Sequence, residues 1–386
     1  MKKETSAAFI WLQRHAAMIR KELVQLLRDK LLVFFLIYAF SMDIILAGGS
    51  ISLDLKNASL WVRDLDHKVE SRELMHRFQP PAFRLKGGVD NAHEIQTMMD
   101  KGEAMATLDF GPDFSENIHK GRQATTLMQV DATNSVLGTL AASHASHIVF
   151  QFSLEKAQEK LAKAGAASGG TPSIRDAHRV WFNPNQRDSW FMSITELLTI
   201  ITVFAVMLPA TAMVREKERG TVEQLLVSPL STWQIMLPKI LSMTFVILLG
   251  TAVSLFCVIR PIFHTPIRGS LPLFFGVTAL YVFTTSGLSL FISTLARNLA
   301  QVGLLTILVL APMLFLSGAW TPPEAMPGWL RFAMVVSPLH HYIDTGFGIL
   351  LKGAGMEILW DSVGMIALIG GIMLSVGAWR FRRQFH

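Results

Sequence analysis

The chain has 386 residues, 51% hydrophobic and only 17% charged, with a mean hydropathy of +0.38. Soluble globular chains carry roughly 25% charged residues, so this composition suits lipid. The basic balance, with a pI near 9.5, would fit nucleic acid only if the charge were clustered for it. Between Ile51 and Trp190, however, 16 Lys/Arg face 17 Asp/Glu, and the remaining cations flank hydrophobic runs, where a membrane topology needs them. Nucleic acid is therefore excluded as a partner. The single cysteine, Cys257, lies in an apolar run, which rules out an intramolecular disulfide and a thiol ligand set.

In chain order, residues 1–30 come first. Leu12, Ala16, Ile19, Leu23, Leu26 and Leu27 fall at helical spacing with Arg14, Arg20, Lys21 and Arg28 interleaved, the pattern of an amphipathic helix in a membrane interface. The apolar run Leu31–Ser50 follows. Thirty residues precede it and no small-x-small cleavage site follows it, so it reads as a retained anchor. Asp43 lies inside this run. An intramembrane acid costs roughly 2.5–3.5 kcal/mol at the bilayer centre; either it lines a translocation path and favours cationic substrates, or it hydrogen-bonds to Ser41 or a facing helix.

Residues 51–190 read as an α/β domain. Strands are expected at Ala58–Arg63, Met105–Asp109 and Thr126–Val130, and helices at His67–Arg77, Ala92–Lys101, around Phe114–Lys120 and at Ser135–Ala164, before the loop Gly165–Pro172. Asp64 and Asp66 belong to a strand-to-helix turn and read as capping groups. His144 and His147 have metal-compatible spacing, but two histidines are not a site and a surface pair is the better reading.

Further runs of about 20 apolar residues, the length that crosses a bilayer, are Phe191–Val214, Ile235–Ile259, Leu271–Ile292, Leu299–Leu316 and Val363–Trp379. Leu330–Leu351 is cut by Pro338 and carries His340, His341 and Asp344, so the outer loop 318–353 reads as re-entrant. With the N-terminus inside, 15 Lys/Arg flank the spans on the inner side and four (Arg260, Arg268, Arg331, Lys352) on the outer side. This asymmetry places both termini in the cytoplasm. The expected fold is an α-helical polytopic membrane protein of six transmembrane helices, with the α/β domain extracytoplasmic and inserted between the first and second.

The most informative segment is the inner loop 215–234. Arg215, Glu216, Lys217, Glu218 and Arg219 put five alternating charges at the membrane surface, and Gly220 breaks the helix. Thr221 with Gln224 has the form of a capping box, and Ser228-Pro229 ends the short helix that it opens. That helix carries Val222, Glu223, Leu225 and Leu226, an apolar face suited to a groove on a soluble partner.

This loop, Arg-Glu-Lys-Glu-Arg-Gly-Thr-Val-Glu-Gln-Leu-Leu-Val-Ser-Pro-Leu from Arg215 to Leu230, resembles that of the permease subunits of type 2 ATP-binding-cassette exporters, the bacterial drug- and multidrug-export branch. Trp181-Phe-Asn-Pro, the Ser317–Pro327 segment, Ser337-Pro-Leu-His-His and Gly111-Pro-Asp-Phe-Ser extend the likeness over nearly the whole chain. The resemblance implies an inner-membrane efflux permease that works as a homodimer or heterodimer. It also implies that an ATPase subunit contacts the short helix, with a periplasmic membrane-fusion adaptor and an outer-membrane channel as further partners beside membrane lipid. The chain has no G-x-x-x-x-G-K-[ST] phosphate cradle. It is therefore not expected to be an enzyme by itself or to bind a cofactor, with ATP and magnesium residing in the partner. Rival readings are a proton-coupled secondary transporter, which needs more buried acids and related halves, and a membrane-anchored ligand-binding scaffold, which needs only one or two spans.

Overall fold

In lipid every backbone polar group must be satisfied within the segment, so apolar runs have to be helical. The computed structural model describes residues 7–50, 55–131, 135–163, 182–183, 187–220, 232–319, 321, 323 and 326–384. It divides into two compact units, Met1–Ile51 with Arg179–His386, and Ser52–His178. The chain begins with α1 (Ala7–Arg28). Asp29 breaks it and caps the next helix, its side chain accepting from Leu32 N at 3.2 Å. That helix, α2 (Lys30–Gly49), is the first of the membrane-length helices and contains a π-helical turn at Ala39–Asp43.

The Ser52–His178 unit alternates strand and helix: β1 (Ala58–Asp64), α3 (Val69–Arg77), β2 (Phe83–Gly88), α4 (Ala92–Asp100), β3 (Ala106–Phe110), α5 (Phe114–Lys120), β4 (Thr126–Val130) and α6 (Ser135–Lys163). The sheet order is β2-β1-β3-β4, with β1 parallel to both neighbours and β4 antiparallel to β3. Leu60, Val62, Leu108 and Phe110 fill its core with Phe78 and Phe83. Asp64 accepts from the backbone N–H groups of Asp66 and His67 and from Ser71 Oγ, while Asp66 accepts from Ser115 N and Oγ. Both acids thus close turns, as their position after a strand suggested. His144 and His147 are exposed on α6.

Helix α6 is tied to α3 by charge. Lys156 Nζ lies 2.6 Å from Glu73, and Arg77 bridges Glu73 at 3.1 Å and Glu155 at 2.5 Å. Both cations stand over the buried Phe152 ring. The Lys156 hydrogen bond holds the Glu73 carboxyl below its ordinary range, against a smaller opposing effect of burial.

The remaining membrane-length helices are α7 (Asp188–Glu218), α8 (Trp233–Phe263) and α9 (Leu271–Leu295). Next come α10 (Leu299–Phe315), the short α11 (Gly328–Val335) and α12 (Pro338–Phe347), and finally α13 (Met356–Gln384), whose Met356–Arg383 stretch also has membrane length. Five described helices are thus long and apolar enough to cross a membrane, by length and composition. The expected span Leu299–Leu316 forms a 17-residue apolar helix; at 1.5 Å per residue it is about 26 Å long, slightly less than a hydrocarbon core of about 30 Å. Ser337 and Pro338 break the Leu330–Leu351 run into α11, which exposes Trp329 and Phe332, and α12, which buries Leu339 and Tyr342. Tyr342 stacks on Tyr281 of α9 at 3.9 Å, and Tyr281 donates to Thr202 of α7 at 3.1 Å. His340, His341 and Asp344 engage Ser317 O, Val335 O and Ser362 Oγ, contacts that hold the loop to its own helices.

Helices α9 and α13 touch backbone to backbone. A methyl group on Gly287 would overlap the Leu374 backbone, and one on Gly377 the carbonyl of Gly287; close approach through small residues is how helices associate in lipid.

Gly287→Leu is expected to cost about 3 kcal/mol or more by overpacking and to collapse the folded yield on size-exclusion chromatography. Gly371→Leu, at a position with open space, should elute like the wild type. The depressed Glu73 carboxyl gives a second expectation. A depressed acid contributes stability that is fully present above its unfolded value, about 4.3, and lost as pH falls through the folded one. The thermal midpoint should fall on acidification below about pH 4.3, and less steeply in Glu73→Gln, in a fluorimetric melt of the full chain.

Candidate functional site

Helix α7 has 31 residues, about 46 Å at 1.5 Å per residue, so it outruns the hydrocarbon and carries its last charges beyond it. It ends at Glu218, and Gly220 takes a left-handed φ of 65°, the break that its glycine suggested.

Four of the five charges before that break each meet another element. Arg215 pairs with Asp29 at 2.8 Å, between α1 and α2. Glu216 accepts from Lys21 of α1 at 3.0 Å and lies 2.8 Å from Lys239 of α8. Lys217 donates to the Ser293 carbonyl in the last turn of α9, and Glu218 accepts from Leu299 N at the start of α10, at 2.9 Å. A cation at a helix C-terminus and an anion at an N-terminus complement the two dipoles. Arg219 is exposed.

The centre of the arrangement is buried. Lys239 is 1% exposed, Glu22 2% and Glu216 5%, and Lys239 Nζ lies 2.6 Å from Glu22. With Lys21 the group comprises two carboxylates and two ammonium groups, neutral as a set. Burial alone would lower the Lys21 pKa, but the Glu216 and Glu22 carboxylates outweigh it and hold the ammonium above its ordinary value. Neutral pairing with short hydrogen bonds is the condition under which buried charges are tolerated.

The buried stripe of α1 is His15, Glu22 and Leu26, whereas Leu12 and Leu27 are 60% and 66% exposed. Ile19 and Leu23 are half-buried, so the inward face shares Leu26 with the leucine stripe and adds His15 and Glu22 to it. Reading by residue type missed Glu22, Asp29 and Lys239. One signal was present: Glu22 falls three residues after Ile19 and four before Leu26, and Lys239 sits between Leu237-Pro238 and an apolar run.

Of the expected coupling residues, Arg215–Gly220 lie at this junction. Thr221, Val222, Glu223, Leu225 and Leu226 lie outside the described residues. Asp43 is half-buried at the end of the π-helical turn in α2, and its carboxylate lies within electrostatic reach of Glu196 on α7. Ser41 donates to its own helix at Ile37 O. A second π-helical turn, Ser254–Ile259 in α8, packs near the first, with Ser254 Oγ donating to Phe40 O.

The model of the ABC-2 family transporter proteins matches residues 31–379. The chain belongs to that family. Among its relatives is an inner membrane transport permease, YhhJ, of Escherichia coli, 32% identical over 363 residues that cover 94% of this chain and 95% of the relative. A probable multidrug ABC transporter permease of the same organism, YbhR, is 31% identical over 376 residues, 95% of this chain and 98% of the relative. ABC transporter G family member 20 of Dictyostelium discoideum is 23% identical over 339 residues, 88% of this chain but 46% of that protein.

Lys239→Met takes from buried Glu22 its 2.6 Å partner and leaves it only Lys21 at 3.7 Å, which should cost about 3 kcal/mol, the low end for a broken buried pair. Replacing Glu22 and Glu216 by leucine in the same variant should recover much of that loss. Thermal melts of the three proteins in one detergent check the ordering.

Proposed function

We propose that this chain is the membrane-spanning permease subunit of an ATP-driven exporter. It moves a drug-like or lipid-like substrate out of the cytoplasm or the inner leaflet, powered by a separate ATPase subunit. One observation carries the reading: four successive charges at the end of α7 brace the ends of α1, α2, α8, α9 and α10 immediately before segment 221–231. A push on that segment reaches every one of those helices at once. The ATPase docks on loop 215–234, with Val222, Leu225 and Leu226 as the apolar contact and Glu223 as its ion-pair partner. Arg215, Glu216, Lys217 and Glu218 hold the entry, and Arg219 is the charge left facing outward.

In this reading the chain crosses the bacterial inner membrane six times, with α10 as the fifth span and both termini cytoplasmic. The names of the E. coli relatives, an inner membrane permease and a probable multidrug permease, support the location and the substrate class. Two permease copies or paralogues form the path between them. The Ser52–His178 unit faces the periplasm and meets a membrane-fusion adaptor that leads to an outer-membrane channel. Asp43, with Glu196 beside it, faces the path and favours cationic cargo. ATP and magnesium are bound by the partner.

Purification in mild detergent from native membranes should bring down a P-loop ATPase, and Leu225→Asp or Glu223→Arg should release it or uncouple its hydrolysis from transport. Normal transport by both variants would remove the docking role from the segment. Absence of any ATPase from the wild-type preparation would sink the exporter reading.

A further inference from the structure

A cleft of about 830 Å³ opens between α1 and the end of α7. Its wall holds five cations, Arg20, Lys21, Arg28, Arg215 and Arg219, against one carboxylate, Asp29. Arg215 is paired with Asp29, and Lys21 with Glu216. Arg20, Arg28 and Arg219 are exposed and have no carboxylate partner among the described residues. Such an excess of forked donors in one concavity is suited to a phosphate.

The level of the cleft selects the kind of phosphate. Asp29 is the residue at which α2 begins, and Arg215 and Arg219 close α7. The 2.8 Å contact between Arg215 and Asp29 therefore brings two membrane-length helices to their ends at one level. That is the depth at which a bilayer carries its headgroups. Directly after the cleft, α2 leaves Leu31, Phe34 and Ile37 between 63% and 78% exposed, an apolar surface for acyl chains. Cations above and bare hydrocarbon contacts below match an amphiphile with a negative head rather than an acidic face of a soluble protein.

We propose that this cleft binds the phosphate headgroup of an anionic phospholipid, which wedges between α1 and α7 and holds the interfacial helix against the span ends. The proposal rests on the exporter reading only in requiring α2 and α7 to cross a bilayer; it needs no ATPase.

The test uses the full chain in nanodiscs of phosphatidylcholine doped with phosphatidylglycerol, and reads the lipid retained on detergent extraction by native mass spectrometry. The wild type should retain phosphatidylglycerol in preference to phosphatidylcholine. Arg20→Gln with Arg28→Gln should lower that retention roughly tenfold or more, as expected for two cations near a lipid surface, and Arg20→Lys with Arg28→Lys should keep most of it. Neither arginine belongs to the buried ion cluster, so the fold should persist, as a thermal melt will report. A measurement on the wild type alone adds to this: phosphatidylglycerol retention should fall with ionic strength while phosphatidylcholine retention does not. Equal retention of the two lipids, unchanged retention in the glutamine variant, or retention indifferent to salt would each overturn the proposal. So would loss of a co-purifying ATPase from the glutamine variant with its lipid intact, which would make the cleft a protein-docking surface. Absence of an ATPase from the wild type would count against the exporter reading alone and leave the lipid result standing.

Discussion

A lysine ammonium closed off from solvent between two carboxylates organises the membrane unit. Lys239 reaches Glu22 on one side and Glu216 on the other, so α1 cannot separate from the consecutive helices α7 and α8 without stranding a charge in a poorly solvated place. A hydrophobic contact would give comparable adhesion at any register. An ion triad does not slide, since moving either helix by a turn leaves a buried carboxylate without its donor. The cluster therefore specifies where α1 crosses α8 and where α7 ends.

The charged motif at the end of α7 looks in sequence like a solvated patch awaiting a partner. In the fold, four of its five charges face inward to helix ends of this same chain. Lys217 and Glu218 satisfy a carbonyl and an N–H of the kind that helix termini leave open, joining the turn between α9 and α10 to the same junction. The motif is better understood as a rigid junction of helix ends than as a solvated patch.

Periodicity carried most of the architecture. Long apolar runs gave the membrane-length helices to within a few residues, and three of the four strands stood at their expected places. β2 escaped notice because Phe83-Arg-Leu-Lys-Gly-Gly has no β-branched residue, alternates over only four positions and ends in two glycines; it is an edge strand anchored by Phe83 alone, with its middle exposed. On α1 the leucine spacing suggested an amphipathic interfacial helix and named no inward partner, and Leu12 and Leu27 are exposed. What packs inward is a glutamate, legible only once Lys239 is known to lie opposite it. Long-range charge pairing has no signature in the local pattern of either helix, and neither does the approach of Gly287 to Gly377, ninety positions apart in the chain. The acids Asp43 and Glu196 both stood out in their apolar runs, but nothing in either run says that they face each other.

The account stands on α1 moving as one body with the span ends through the transport cycle. Pulsed electron paramagnetic resonance between labels at Leu12 on α1 and Arg297 in the α9–α10 turn, both exposed, tests this in the assembled complex. The account predicts one narrow distance distribution, the same without nucleotide and with trapped ATP, that broadens when Lys239 is replaced by Met. A wild-type distance that shifts with nucleotide, or a Lys239→Met distribution as narrow as the wild type's, would contradict it.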